Sequence, residues 1–242
     1  MLTIKNISKS FDNFSVIENV DFNLEEGKIY GLIGKNGEGK TTLLNCLCGV
    51  LTPSDGDIFY NGRSIYDDLI SYKKDIAYTP DECSALEYLT GREYLEFIFS
   101  VFYKAKSKEE KKNNINILKE KVLSLSKLLN YEKYLDKKIA LYSHGTKQKV
   151  SLIAACIHDP KIWYLDEPLL GLDPIAIKGL YKLFNDLKKR NGTVFFSVHD
   201  LTACKEMCDD VLLMDNKKIS KIYKDVKNDK NFIDDISQAL RK

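Results

Sequence analysis

No stretch of the sequence is apolar enough to cross a membrane. A spanning helix needs about 18 to 20 uninterrupted apolar residues, and the densest run, Val150 to Ile157, is about half that length. The chain is therefore not expected to span a bilayer by itself. It also lacks an excess of one charge: 37 Lys and Arg face 35 Asp and Glu, a formal net charge of +2. That balance excludes a surface built as a whole to bind polyanions, and no nucleic-acid partner is expected. The first residues, Met1 to Asn6, alternate like a strand and do not pair a basic region with an apolar run, so no secretory leader is expected and the chain should stay in the cytosol. Internal repeats and low-complexity segments are absent. From 88 to about 137 there is no proline and glycine only at Gly91, which favours helices.

What is present is core material. With 242 residues and 44% hydrophobic side chains, the chain can bury one or two small domains, which excludes disorder as its main state. The six cysteines (Cys46, Cys48, Cys83, Cys156, Cys204, Cys208) are expected as reduced thiols. Cys204 and Cys208 share a helix face at i, i+4. Closed metal sites want four ligands at tight spacing, so these two read as small buried hydrophobes.

Strand-like segments at Leu2 to Ser8, Val20 to Leu24 and Lys28 to Ile33 precede a break at Gly34, and Leu43, Leu44, Leu47 and Val50 then recur at helical spacing. Further on, Asp57 to Tyr60 and Asp75 to Tyr78 read as strands. Ile162 to Leu165, Thr193 to Val198 and Asp210 to Met214 are strands alternating with helices at Pro174 to Lys189 and Asp200 to Met207. This alternation predicts an α/β fold with a mainly parallel sheet.

The segment Gly34-Lys35-Asn36-Gly37-Glu38-Gly39-Lys40-Thr41 fits the phosphate-loop pattern G-x-x-x-x-G-K-[ST] where a strand hands over to a helix. Average composition yields this pattern in about one chain of 100 at this length, before its context is required. Glycines let backbone N–H groups reach phosphate oxygens, the helix adds the positive end of its dipole, Lys40 adds a point charge and Thr41 offers a hydroxyl to Mg²⁺. Glu38 is an unusual negative charge there, expected to point to solvent. Hydrolysis further needs a carboxylate near the metal and a group that orients or deprotonates water, and Asp166-Glu167 supplies both at the end of a buried strand.

Together with Tyr142-Ser143-His144-Gly145-Thr146-Lys147-Gln148, Gly171-Leu172-Asp173 and Ser197-Val198-His199-Asp200, these motifs resemble the nucleotide-binding subunit of ABC transporters, in order and spacing, from about Leu2 to Ile222. The resemblance implies a P-loop NTPase with a parallel core, an N-terminal antiparallel β subdomain and an inserted α-helical subdomain. One nucleotide-binding domain would fill the chain: core at 1–82 and 157–228, helical insertion with the signature loop at 83–156, and a tail helix at 229–242. It implies ATP and Mg²⁺ as ligands. Phe11 would stack on adenine. Asn36, Gly37 and Gly39 would cradle phosphates, Lys40 would bind the β- and γ-phosphates, and Thr42 an α- or β-phosphate oxygen. Thr41 and Asp166 would serve Mg²⁺, Glu167 would be the general base, and His199 would contact the γ-phosphate. Ser143 and Gly145 would meet the γ-phosphate of a second subunit, and Asp173 would link the two sites.

The sequence departs from the family pattern at two places. The signature is commonly Leu-Ser-Gly-Gly-Gln, and Tyr142, His144 and Thr146 replace three of its residues. After Tyr78-Thr79-Pro80 the family commonly has a glutamine that reaches Mg²⁺; here stands Asp81, shorter and charged. The resemblance further implies a second nucleotide-binding subunit, homo- or heteromeric, and a separate membrane permease that holds the chain on the cytoplasmic face of the membrane. The signature and the Asp81 loop look most like exporters of peptides, drugs or lipids. A soluble ABC ATPase without a membrane partner, and a regulatory subunit with little turnover, are the alternatives. Tyr88, Tyr94, Phe97, Ile98, Val101 and Phe102 recur at helical spacing; most are expected in the helical lobe's own core, with a groove for a partner's helix as the other reading. The run Lys104 to Lys112 is expected to be a solvated helix face.

Overall fold

The computed structural model describes residues 1–82, 85–103 and 107–241. Cys83 and the start of the basic run, Lys104 to Lys106, lie outside the described residues. In chain order the elements are β1 (Leu2–Phe11), β2 (Phe14–Leu24), β3 (Ile29–Ile33), α1 (Lys40–Leu47), β4 (Asp55–Tyr60), β5 (Arg63–Ser64), α2 (Leu69–Asp75), β6 (Ile76–Thr79), α3 (Gly91–Phe102), α4 (Lys108–Leu128), α5 (His144–Cys156), β7 (Ile162–Leu165), α6 (Pro174–Lys189), β8 (Thr193–Ser197), α7 (Leu201–Met207), β9 (Asp210–Asp215), β10 (Lys218–Tyr223) and α8 (Phe232–Arg241). The expected α/β fold is present. The sequence reading did not anticipate α2 or β10, and it started β2 six residues late.

Two compact units divide the chain. The first takes Met1–Tyr78, Lys161–Glu167 and Phe184–Lys242. It holds an antiparallel sheet in the order β2-β1-β4-β5, and most of a six-stranded sheet in the order β10-β9-β3-β8-β7-β6. In the larger sheet β3 runs parallel to both β8 and β9, β7 runs parallel to β8, and β10 closes the edge antiparallel to β9. Every residue of β3, β7 and β8 is buried, which is why these segments read as unbroken apolar runs rather than alternating ones. Phe22 of the antiparallel sheet stacks on Phe195 of β8 with ring centroids 5.7 Å apart, so one core serves both sheets. Because β3, β8 and β7 are parallel neighbours, their C-terminal ends lie side by side. Gly34, His199 and Asp166-Glu167 leave the sheet at that edge, where open α/β sheets place ligands.

The second unit takes Thr79–Pro160 and Pro168–Leu183. Its helices are α3, α4, α5 and the first part of α6. The sequence reading put the insertion at 83–156 and the segment 168–183 with the core; that segment clusters here with the helices. Helix α3 starts on a capping box, in which the Thr90 hydroxyl accepts from the Glu93 N–H and the Glu93 carboxylate accepts from the Thr90 N–H at 2.8 Å. It buries Gly91, Leu95 and Phe99. A Cβ at Gly91 would sit 2.0 Å from the Tyr131 hydroxyl oxygen, so only glycine permits that approach. This buried stripe corrects the expectation for the aromatics of 88–102. Leu95 and Phe99 fill the core, whereas Tyr88, Phe97, Val101 and Phe102 are exposed, and Tyr94 and Ile98 are half-buried. The reason is rotational: a helix presents one stripe to its neighbours, and the i, i+4 pair aligned with Gly91 takes it.

Candidate active site

The loop from Gly34 to Gly39 joins β3 to α1. Gly39 is the N-cap of α1 with φ +101°, and no side chain caps that helix. The first intrahelical bond runs from Leu43 N–H to Gly39 O at 2.8 Å, leaving the N–H groups of the first turn to an incoming anion. Asn36 and Gly37 form the exposed crest. Lys40 is buried, and its ammonium donates to Gly34 O at 2.9 Å and to Lys35 O at 3.1 Å, folded into its own loop. Burial pulls the Lys40 pKa below the ordinary lysine value, while the carboxylates of Glu167, Asp166 and Glu38 oppose that shift.

Five residues, Thr41 from the first turn of α1 and four from the C-terminal ends of β7 and β8, are joined by hydrogen bonds beside this loop. The Thr41 hydroxyl donates to Asp166 Oδ2 at 2.6 Å, and the Ser197 hydroxyl donates to Asp166 Oδ1 at 2.5 Å. The same Ser197 oxygen accepts from the Glu167 N–H at 2.8 Å. Glu167 holds φ at +45°, a left-handed conformation that costs a non-glycine residue about 1 kcal/mol or more. That turn directs its carboxylate outward, where Oε1 lies 2.7 Å from His199 Nε2. Asp166 is nearly fully buried, and Glu167 and His199 keep contact with solvent. The motif assigns no role to Ser197; the signal in the sequence is its place closing the apolar run Val194 to Phe196, two residues before His199. Thr42 is half-buried in the first turn of α1.

Phe11 and Phe14 face each other across the β1–β2 hairpin, both substantially exposed. The Lys9 ammonium stands 5.2 Å from the Phe11 ring and donates to Thr52 O at 2.8 Å, so one face of that ring is occupied by a cation.

Asp81, Ser143, Gly145 and Asp173 belong to the second unit. Ser143 is the N-cap of α5, its hydroxyl 2.9 Å from Thr146 Oγ1. Gly145 abuts Gly171: a Cβ at 145 would lie 2.0 Å from Gly171 O. Asp173 caps α6 by accepting from Ile175 N–H and Ala176 N–H, each at 3.0 Å, and pairs with Lys149 of α5. The Lys149 ammonium holds the Asp173 carboxyl below the usual carboxylate range. The signature loop and the Gly171-Leu172-Asp173 loop are thereby fastened together. Asp81 lines a cavity of about 410 Å³ with Glu82, Glu87, Tyr142, His144, Lys147 and Gln148.

A family model described as ABC transporter matches residues 17–170, more than half the chain. The chain belongs to the ABC transporter ATP-binding family. An ABC-type transporter ATP-binding protein of Bacillus subtilis (strain 168), EcsA, is 33% identical over 219 residues, covering 90% of this chain and 85% of its own. Among solved structures, an ATP-binding subunit of an ABC transporter superposes over the full length of both chains with a TM-score of 0.87 at 27% identity. The ATP-binding cassette MJ0796, solved as a dimer in a post-hydrolysis state with ADP and Pi, matches in fold with a TM-score of 0.80 at 22% identity, covering 93% of this chain and 98% of that one. This ABC subunit is accordingly an ATP-binding ATPase of the P-loop fold. Among its described residues no helix is long and apolar enough to cross a membrane.

Proposed function

We propose that this ATPase closes with a second nucleotide-binding subunit around two Mg-ATP molecules and drives a separate membrane permease, an exporter of peptides, drugs or lipids. The observation that carries the hydrolytic reading is the connected set Thr41, Asp166, Ser197, Glu167 and His199 at the adjoining ends of β3, β7 and β8. Asn36, Gly37, Gly39 and the first-turn amides bind phosphate oxygens, Lys40 leaves Gly34 O for the β- and γ-phosphates, and Thr42 takes an inner phosphate oxygen. The Phe11 face away from Lys9 stacks on adenine. Glu167, held upright by its N–H bond to Ser197, accepts a proton from the attacking water, and His199 orients the Glu167 carboxylate and contacts the γ-phosphate.

The hydroxyl and carboxylate donors of Thr41 and Asp166, already within 2.6 Å of each other, form the hard oxygen set that suits Mg²⁺. When held by these two residues, the ion would supply neutralisation of the phosphate charge. Asp81 is a further candidate ligand from the segment after β6. Ser143, Gly145 and the loop of Asp173 act on the ATP of the opposing subunit. The fastening of the Ser143 and Asp173 loops to each other within one compact unit supports that reading.

The exposed apolar side chains of Tyr88, Phe97, Val101 and Phe102 support docking on the permease, and with it a peripheral position on the cytoplasmic face of the membrane. The exporter class is supported by the Tyr-Ser-x-Gly-x-Lys-Gln signature and the Tyr78-Thr79-Pro80-Asp81-Glu82 loop.

Steady-state ATP hydrolysis over a range of protein concentrations, with light scattering, tests the reading. Glu167→Gln should lower turnover by about 10² to 10⁴ and should trap a dimer only with Mg-ATP. Wild type that binds ATP yet neither dimerises nor turns over at any concentration removes the autonomous homodimer.

A further inference from the structure

Glu38 does not point freely to solvent, as its place in the phosphate loop suggested. Its carboxylate Oε2 accepts the backbone N–H of Lys217 at 3.0 Å and is partly buried. Lys217 sits in the tight turn between β9 and β10, where Asn216 and Lys217 both have positive φ, +50° and +64°. Two consecutive left-handed residues other than glycine make a costly turn, and that geometry is what aims the Lys217 N–H at the phosphate loop.

The same residue reaches a second strand. Lys217 O accepts from the Glu18 N–H of β2 at 2.9 Å, its ammonium lies 3.8 Å from the Glu18 carboxylate, and that ammonium stands 5.0 Å from the ring centroid of Phe14. Phe14 is the cross-strand partner of Phe11. One turn residue thus binds Glu38 of the phosphate loop through its N–H and the strand beside the base platform through its C=O and its ammonium. The loop is also pressed against β2 at Gly39, where an added Cβ would meet Ile17 Cγ2 at 2.7 Å and Val16 O at 2.8 Å.

We propose that Glu38 is a positioning residue for ATP: by accepting the Lys217 N–H it latches the phosphate loop to the β9–β10 turn and, through that turn, to β2, so that the phosphate and base halves of the site are set at a fixed spacing before nucleotide arrives. A negative side chain beside a polyphosphate repels it, and the latch is what the loop gains in exchange. A loop ordered beforehand loses less conformational entropy on binding, so the latch appears as ATP affinity. The inference rests on this site binding ATP.

Two variants separate latch from charge. Glu38→Ala removes both the acceptor and the charge; Glu38→Gln removes the charge and keeps an oxygen that can accept the Lys217 N–H. Mg-ATP dissociation constants are measured by calorimetry on the full chain, with hydrogen exchange followed at the Lys217 amide. The latch requires Glu38→Ala to bind Mg-ATP about fivefold or more weakly and its Lys217 amide to exchange about tenfold faster or more, while Glu38→Gln stays at wild-type affinity or tighter with a slow amide. Were Glu38 only a tolerated charge, both variants would bind more tightly and neither amide would change. Tighter or unaltered binding by Glu38→Ala therefore overturns the proposal, as does equal weakening by Glu38→Gln. A wild-type chain that fails to bind Mg-ATP sinks the nucleotide-site assignment instead, and Lys40→Ala, which should lose binding in every background, marks that case apart.

Discussion

Replacing Ser197 with alanine tests how the site is held together. Its hydroxyl donates to Asp166 and accepts from the Glu167 N–H, and the side chain is fully buried. Removing it leaves one oxygen of a nearly buried carboxylate and one amide N–H without that partner, each costing about 1 to 3 kcal/mol when desolvated. Thr41 still satisfies Asp166 Oδ2, and some relaxation toward solvent is open to the Glu167 amide, so a total of about 2 to 4 kcal/mol is expected. For a chain of this length each kcal/mol shifts the melting temperature by roughly 2 to 4 °C, a fall of about 4 to 16 °C. The catalytic effect should be separable. Glu167 keeps its strained φ of +45° only while its neighbours over-determine it, and freeing its N–H lets the carboxylate drift from the attacking water. A displacement of about 1 Å can cost about 10²-fold in rate. Differential scanning calorimetry gives the first quantity and hydrolysis at saturating Mg-ATP, well below the melting point, gives the second. A variant that melts within a degree of wild type and turns over within a factor of two would refute the bridging role, because both arms rest on the same two hydrogen bonds.

Further outcomes follow from other contacts. Gly145→Ala would drive a Cβ to 2.0 Å from Gly171 O, so the signature and Asp173 loops must part; thermal melts should show a loss of about 1 to 3 kcal/mol together with a drop in turnover. Asp173→Asn keeps the oxygen that caps α6 and removes only the charge, so it should destabilise the chain by about 1 kcal/mol or less near pH 7, since the carboxylate is more than one-third exposed and its ion pair with Lys149 is screened. Because the folded Asp173 pKa is depressed, that stabilisation is present above the ordinary carboxylate pKa and is lost as pH falls through the folded value; denaturant titrations at descending pH should show wild type and variant converge. Burial lowers the Lys40 pKa, so Mg-ATP affinity measured by calorimetry should begin to fall on the alkaline side before the ordinary lysine value of 10.5 is reached. Phe11→Ala should weaken ATP by about 1 to 3 kcal/mol, with Phe11→Trp restoring it, if the ring stacks on the base.

Local sequence determined the parts whose chemistry is written in consecutive residues. The phosphate loop was legible because Gly37 and Gly39 occupy positive φ that other residues adopt at a cost, and because Lys40-Thr41 must follow immediately at the start of a helix. The parallel sheet was legible because β3, β7 and β8 are buried on both faces and so contain no polar alternation. Asp166-Glu167 stood out as two charges closing such a strand.

Tertiary structure decided everything that depends on strand order and helix rotation. Ser197 is 30 residues from Glu167, and its motif with His199 names no partner for it; only the parallel pairing of β7 with β8 sets its hydroxyl between the two carboxylate residues. Periodicity identified α3 but not which of its stripes is buried, since that was fixed by the close approach of Gly91 to Tyr131. The partner of Glu38 lies 179 residues away in a turn whose strand, β10, was not foreseen. Backbone conformation and hydrophobic period act over a few residues and leave their mark in sequence. Hydrogen bonds between distant strand ends and turns arise only when the sheet closes, so one residue's identity does not disclose which partner it will meet.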